Sequence, residues 1–119
     1  MTSVIDENQI NEAKDILDDK FSDFISNYIF DTESIFSEID ICLATGQFDI
    51  IQLNLHRLKS SSHQVGAISM FEHIINMEKF MENYKSDMAA IPFQTRIGAQ
   101  FQNLRGMFAD YRAAIQDYL

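Results

Sequence analysis

The chain is 119 residues long and 46% apolar, with a formal net charge of -9 from 18 acidic against 9 basic side chains. That size and apolar content suffice for a domain with its own core and exclude a disordered acidic tail. The acidic balance, relieved only locally by Arg57, Lys59 and His63, speaks against binding nucleic acid or an anionic membrane surface.

Cys42 is the only cysteine, so no intramolecular disulfide can form, and a buried small hydrophobe is its expected role. No stretch approaches the run of about 18 apolar residues that a membrane-spanning helix needs. The opening MTSVIDENQI lacks the cationic segment and apolar run of a signal peptide, so a cytoplasmic location is expected.

With a single proline, Pro92, and four glycines, long helices are expected. A first helix is predicted from about Glu7 to Asp18, with Ile10, Ala13, Ile16 and Leu17 on one face. Phe21, Phe24, Ile25 and Tyr28 then recur at helical spacing. Asp31 or Thr32 can cap a restart, which predicts a break or bend there. The following helix turns Ile35, Phe36, Ile39, Cys42 and Leu43 inward. It ends at Gly46, because glycine adopts the left-handed cap without a Cβ clash.

Asp49 is the candidate cap of a helix reaching about Gly66. Ile51, Leu55, Leu58, Ser62 and Val65 recur there at steps of four, three, four and three, a core stripe. Ser61 and Ser62 are small enough for a neighbouring helix to come close. A helix from about Ala67 to Lys85 carries Met70, Ile74, Met77, Met81 and Tyr84 inward, and Ser86 to Gln94 reads as a loop. The last helix, about Thr95 to Tyr118, presents Ile97, Phe101, Leu104, Phe108, Tyr111 and Ile115. The pattern is all-α: one domain over residues 1–119, an antiparallel four-helix bundle with an additional N-terminal capping helix.

The helix from Asp49 also has a face that the core does not use. Each residue advances about 100° around a helix axis. With His56 at zero, Lys59 falls at about 300°, His63 at about 340°, Ser60 at about 40° and Leu53 at about 60°, all away from Leu58 and Val65. His56 is therefore expected in solvent, with Lys59 one turn along. An imidazole, with an ordinary pKa of about 6.5, is a good nucleophile near neutrality and can hold a group temporarily. The Lys59 ammonium can offset phosphoryl charge, and the hydroxyl of Ser60 or Ser61 can donate one further hydrogen bond to it. Spacing alone leaves this weak, since His-x-x-Lys pairs are common on protein surfaces.

Residues His56 to Ala67 read H-R-L-K-S-S-S-H-Q-V-G-A. This segment resembles the signature of histidine-containing phosphotransfer (HPt) domains, His-x-x-Lys-Gly followed by small residues and a glycine where the helix ends. The stretch from Phe24 to Asp49, with its Gly46-Gln47-Phe48-Asp49 junction, and the order of the later helices are similar as well. The resemblance implies that His56 is the phosphorylated histidine and that Lys59 supports the phosphoryl group. Ser61 and Ser62 match the small packing residues, and Gly66 the closing glycine. The family often orients its histidine with a polar side chain, commonly glutamine, at the position held here by Glu78. A carboxylate there could accept the Nδ1 proton and leave Nε2 free. Ser60 departs from the family's usual glycine, and His63 is an unusual addition to the same face.

By the same resemblance, donors and acceptors are aspartates on receiver domains of response regulators or hybrid sensor kinases. Gln52, Leu53, Lys59, Ser60 and His63 would surround His56 at the docking surface. No cofactor is expected on this chain, because the receiver would bring Mg²⁺. No G-x-x-x-x-G-K-[ST] loop is present, so the chain is not expected to act as an ATP-dependent kinase. A monomer is the default expectation. Two alternatives remain at this point. One is an HPt-like bundle that sequesters a receiver without transfer. The other is a metal-binding bundle, disfavoured because paired Glu-x-x-His motifs are absent.

Overall fold

The computed structural model describes residues 3–119. Among them are five α-helices and no strand: α1 (Glu7–Leu17), α2 (Phe21–Thr45), α3 (Phe48–Gln64), α4 (Ile68–Asn83) and α5 (Ile91–Ile115). The four longer helices, α2 to α5, form an antiparallel bundle. In it α2 packs on α3, α3 on α4, α4 on α5, and α5 returns to α2. Helix α1 caps one end and touches α2. No helix of the described residues is long and apolar enough to cross a membrane.

The predicted stripes supply the core. Ile25, Ile39, Leu55, Leu58, Met70, Ile74, Met77, Met81, Ile97, Phe101, Leu104 and Tyr111 are all fully or almost fully buried. Phe36 stands edge-on to both Phe101 and Phe108, with ring centroids 5.3 Å apart in each pair. Such pairs add about 0.5–1.5 kcal/mol beyond their buried area. Over the same α2–α5 seam, Arg105 covers the Phe36 and Phe101 rings and pairs with Asp40, while Arg112 pairs with Glu33 at 2.8 Å. Cys42 is buried, and desolvation, with Glu38 adding to it, pushes its thiol pKa up, as suits an inert core residue.

Several element boundaries depart from the sequence expectations. No break occurs at Asp31 or Thr32, and α2 runs through them without interruption. Thr32 is buried and its hydroxyl donates to the Tyr28 carbonyl at 2.7 Å, so it satisfies itself within the helix instead of capping a new one. Asp49 lies in the first turn of α3, not at its cap, where its charge still suits the helix dipole. The loop before the last helix is shorter than expected. Helix α5 starts at Ile91 with Pro92 in its first turn, where a missing N–H leaves no bond unmade. It ends at Ile115, and Gln116–Tyr118 form a 3-10 turn. Helix α4 stops at Asn83, which leaves Tyr84 partly exposed against Phe80 instead of in the stripe. Ile16 faces solvent, so only Ile10 of α1 is fully buried, with Ala13 and Leu17 half-covered.

Two glycines set the turns that flank α3. Gly46 closes α2 at φ +71°, and its N–H and that of Gln47 both reach the Cys42 carbonyl. Gly66 follows α3 at φ +73°, and a Cβ there would lie 2.6 Å from Ile10 Cγ1 and 3.0 Å from the Asp6 carbonyl. The Asp6 N–H also donates to the Gly66 carbonyl at 2.8 Å, while the Asp6 side chain caps α1 by accepting from the Gln9 N–H. The capping helix is thus seated on the α3–α4 turn.

Candidate functional site

Helix α3 is fastened from behind before anything is presented in front. Ser62 is fully buried and shares a 2.7 Å hydrogen bond with the Tyr28 hydroxyl of α2. Met70 Sδ of α4 lies 3.4 Å from the same phenol oxygen, so one hydroxyl ties three helices together. Desolvation pushes the Tyr28 phenol up to about 12, a rise partly offset by the Ser62 and Thr32 hydroxyls. Tyr111 of α5 packs edge-on to Tyr28 at 5.5 Å and donates to the Val65 carbonyl at 2.8 Å, holding the end of α3. Burial, with Tyr28 nearby, raises the Tyr111 pKa too.

The sequence assigns Ser62 only a space-making role. The sequence pattern does not show its hydrogen bond with Tyr28. The signal that could have found it is a tyrosine and a serine both on core stripes, each carrying a hydroxyl that burial obliges to find a partner.

On the outer face, His56 stands in solvent, its side chain 67% exposed. Its Nδ1 lies 3.6 Å from Oε2 of Glu78 on α4, a close approach just beyond hydrogen-bond length. Lys59 Nζ is 3.0 Å from the other carboxylate oxygen, Oε1. Glu78 and Lys59 are both largely covered, at 21% and 27% side-chain exposure. Oε1 is buried and receives no aligned hydrogen bond, so its contact with Lys59 is an ion pair rather than a directed bond. His56, Lys59 and Glu78 therefore converge, with Nε2 left as the unengaged ring nitrogen.

The other candidates divide between two sides. Gln52 is half-buried and, with Lys59, Ile75, Glu78, Lys79 and Glu82, lines a shallow groove of about 340 Å³ between α3 and α4. Leu53 and Ser60 are exposed on the flank turned away from that groove, Leu53 at 62%. His63 is exposed one turn on, and its ring rests 5.0 Å from that of Phe71 on α4, a packing contact outside the His56 cluster. His73, the third histidine, is bonded to the Gln100 carbonyl at 2.8 Å and does not join the cluster. Among the described residues, no three His, Cys, Asp or Glu side chains are grouped to hold a metal ion.

No protein-family model matches the chain, and no curated protein matches it. A crystal structure of a rice protein, provisionally named a histidine-containing phosphotransfer protein, is similar to it with a TM-score of 0.62. That likeness covers 98% of this chain and 86% of the rice protein at 24% sequence identity. At that identity the likeness concerns the fold, and the fold is an HPt-like helical bundle.

Proposed function

We propose that this chain is a cytoplasmic phosphocarrier of a phosphorelay, with His56 as the residue that carries the phosphoryl group. The observation that supports this most is the convergence of His56, Lys59 and Glu78 from two adjacent helices of an HPt-like bundle, with the imidazole exposed. In the proposed reaction, Nε2 attacks the phosphorus of a receiver aspartyl phosphate. The P–O bond to the aspartate breaks, the carboxylate leaves, and a P–Nε2 bond forms. The reverse step on another receiver returns the imidazole.

Glu78 faces Nδ1 and favours the tautomer whose lone pair is on Nε2. Lys59 is one turn from His56 and has the reach to meet a phosphoryl oxygen once it leaves Glu78. Gln52, Leu53, Ser60 and His63 form the surrounding contact surface, with Leu53 as its apolar element. Mg²⁺ would come with the receiver.

The test is phosphoryl transfer from acetyl-phosphate-charged receiver domains to the purified chain, beside His56→Gln. Transfer to the native chain and none to the variant is the expected result. Binding without transfer would replace the carrier by a bundle that sequesters a receiver.

A further inference from the structure

Building on the phosphocarrier reading, we propose that Glu78 sets the lifetime of the phosphoryl group on His56. It would do so by keeping the Nδ1 proton on the phosphorylated ring and by drawing Lys59 away from the phosphoryl oxygens.

The geometry gives Glu78 both partners at once. Oε2 faces Nδ1 at 3.6 Å, and Oε1 holds Nζ of Lys59 at 3.0 Å. The charged groups facing this cluster are Lys59 from α3 and Glu78, Lys79 and Glu82 from α4, which line the shared groove. Of these, Glu78 is the one whose carboxylate touches the lysine and also approaches the ring. It is mostly covered, and its Oε1 lacks an aligned hydrogen bond, so it is an incompletely satisfied acceptor beside the ring. An imidazole phosphorylated on Nε2 and protonated on Nδ1 is cationic. That cation strengthens the attraction across the 3.6 Å gap.

The consequence follows from the bond that must break. When the phosphoryl group leaves, the P–Nε2 electron pair returns to Nε2, and phosphorus passes to an oxygen of water or of a receiver carboxylate. With the Nδ1 proton in place, the leaving group is neutral imidazole. Without it, the leaving group is imidazolate, which must take a proton from water. A carboxylate at Nδ1 keeps the ring in the labile, protonated form up to a higher pH. With Lys59 drawn to Oε1, the phosphoryl charge is also less well offset. Both effects shorten the lifetime, and both need the single negative charge of the carboxylate, which a neutral amide at this position lacks.

The experiment needs no receiver, so its failure is distinguishable from failure of the phosphocarrier reading. The purified chain is phosphorylated with phosphoramidate; its P–N bond breaks, ammonia leaves, and the phosphoryl group passes to imidazole. Excess reagent is removed and phosphohistidine loss is followed by ³¹P NMR across pH 5 to 10. The His56 signal is identified by its absence in His56→Gln. Glu78→Gln and Glu82→Gln remove one negative charge each from the same groove. In Glu78→Gln, the pH at which hydrolysis slows is expected to fall by about one unit, the differential that a facing charge supplies. Halfway between the two midpoints the phosphoryl group then lasts about threefold longer than in the native chain, and the ratio approaches about tenfold above the higher midpoint. Glu82→Gln is expected to follow the native profile. Coincident profiles for the native chain and Glu78→Gln would overturn the proposal, as would an equal shift in Glu82→Gln. A uniform slowing with an unmoved midpoint would overturn the proton-holding role and assign the effect to Lys59.

Discussion

The two faces of α3 are built on opposite principles. On the inner face the apolar stripe is buried and the helix is tied to its neighbours by hydroxyl groups. Leu55 and Leu58 have no exposed surface, Ser62 is bonded to Tyr28, and the end of the helix is tied to Tyr111. On the outer face His56 stands 67% exposed, with the Glu78 carboxylate 3.6 Å from its Nδ1, just beyond hydrogen-bond length. The difference teaches where order is needed if His56 is to meet a partner as proposed. Position is supplied by the backbone, which the inner face fixes. The imidazole stays accessible and adjustable, so that in the proposed reaction a close contact can tighten when charge develops.

The largest test of that contrast is on the inner face. Leu58→Ala leaves a cavity in a fully buried site and is expected to cost about 2–5 kcal/mol, read from the shift in a urea unfolding midpoint. A loss below 1 kcal/mol would mean that the helix is not held by its core stripe.

A smaller effect is expected from the hydroxyl link. Tyr28→Phe keeps the ring but leaves Ser62 with a buried hydroxyl to satisfy elsewhere, at a cost of about 1–2 kcal/mol. It also has a pH signature. The folded state raises the Tyr28 pKa from 10.0 to about 12, so the native fold holds that proton more tightly than the unfolded chain does. The contribution is therefore complete below pH 10 and is lost as pH rises towards about 12, on the order of 3 kcal/mol by the upper limit. Tyr111 acts in the same direction. Alkaline unfolding of Tyr28→Phe should accordingly be less steep than that of the native chain above pH 10. Equal slopes would remove Tyr28 from the account of how α3 is fastened.

The same contrast marks what was legible in the sequence. Periodicity records which side of a helix is apolar, so the inner stripe of α3 and the exposure of His56 and Leu53 could both be read from about 100° steps. It does not record what a polar side chain does once buried. Thr32 reads as a cap because threonine favours caps, yet in the folded chain it bonds to its own helix. Pro92 reads as a loop residue, yet it sits in the first turn of α5, where proline is tolerated. The closeness of Lys59 and Glu78 needed the packing of α3 on α4, which no single helix pattern contains. The sequence resemblance drew attention to Glu78, but only the structure shows one carboxylate shared between a lysine and an imidazole.

The smallest expected effect on stability bears most directly on the outer face. Leu53 is 62% exposed, on the side of α3 away from the Lys59–Glu78 groove, and contributes little to the core. Leu53→Ala is expected to change stability by less than about 0.5 kcal/mol, because surface truncations away from special contacts rarely do more. If a receiver docks around His56, the same truncation removes an apolar contact that becomes buried only in the complex. Affinity should then fall roughly tenfold, which corresponds to about 1.4 kcal/mol. Calorimetric titration with a receiver that transfers to the native chain measures this, beside a urea unfolding curve for the variant. The two outcomes separate cleanly. Lost affinity with unchanged stability places the partner over the Leu53 flank as well as over the imidazole. Unchanged affinity restricts docking to the groove side, where Gln52, Lys59 and Ile75 would supply the contacts.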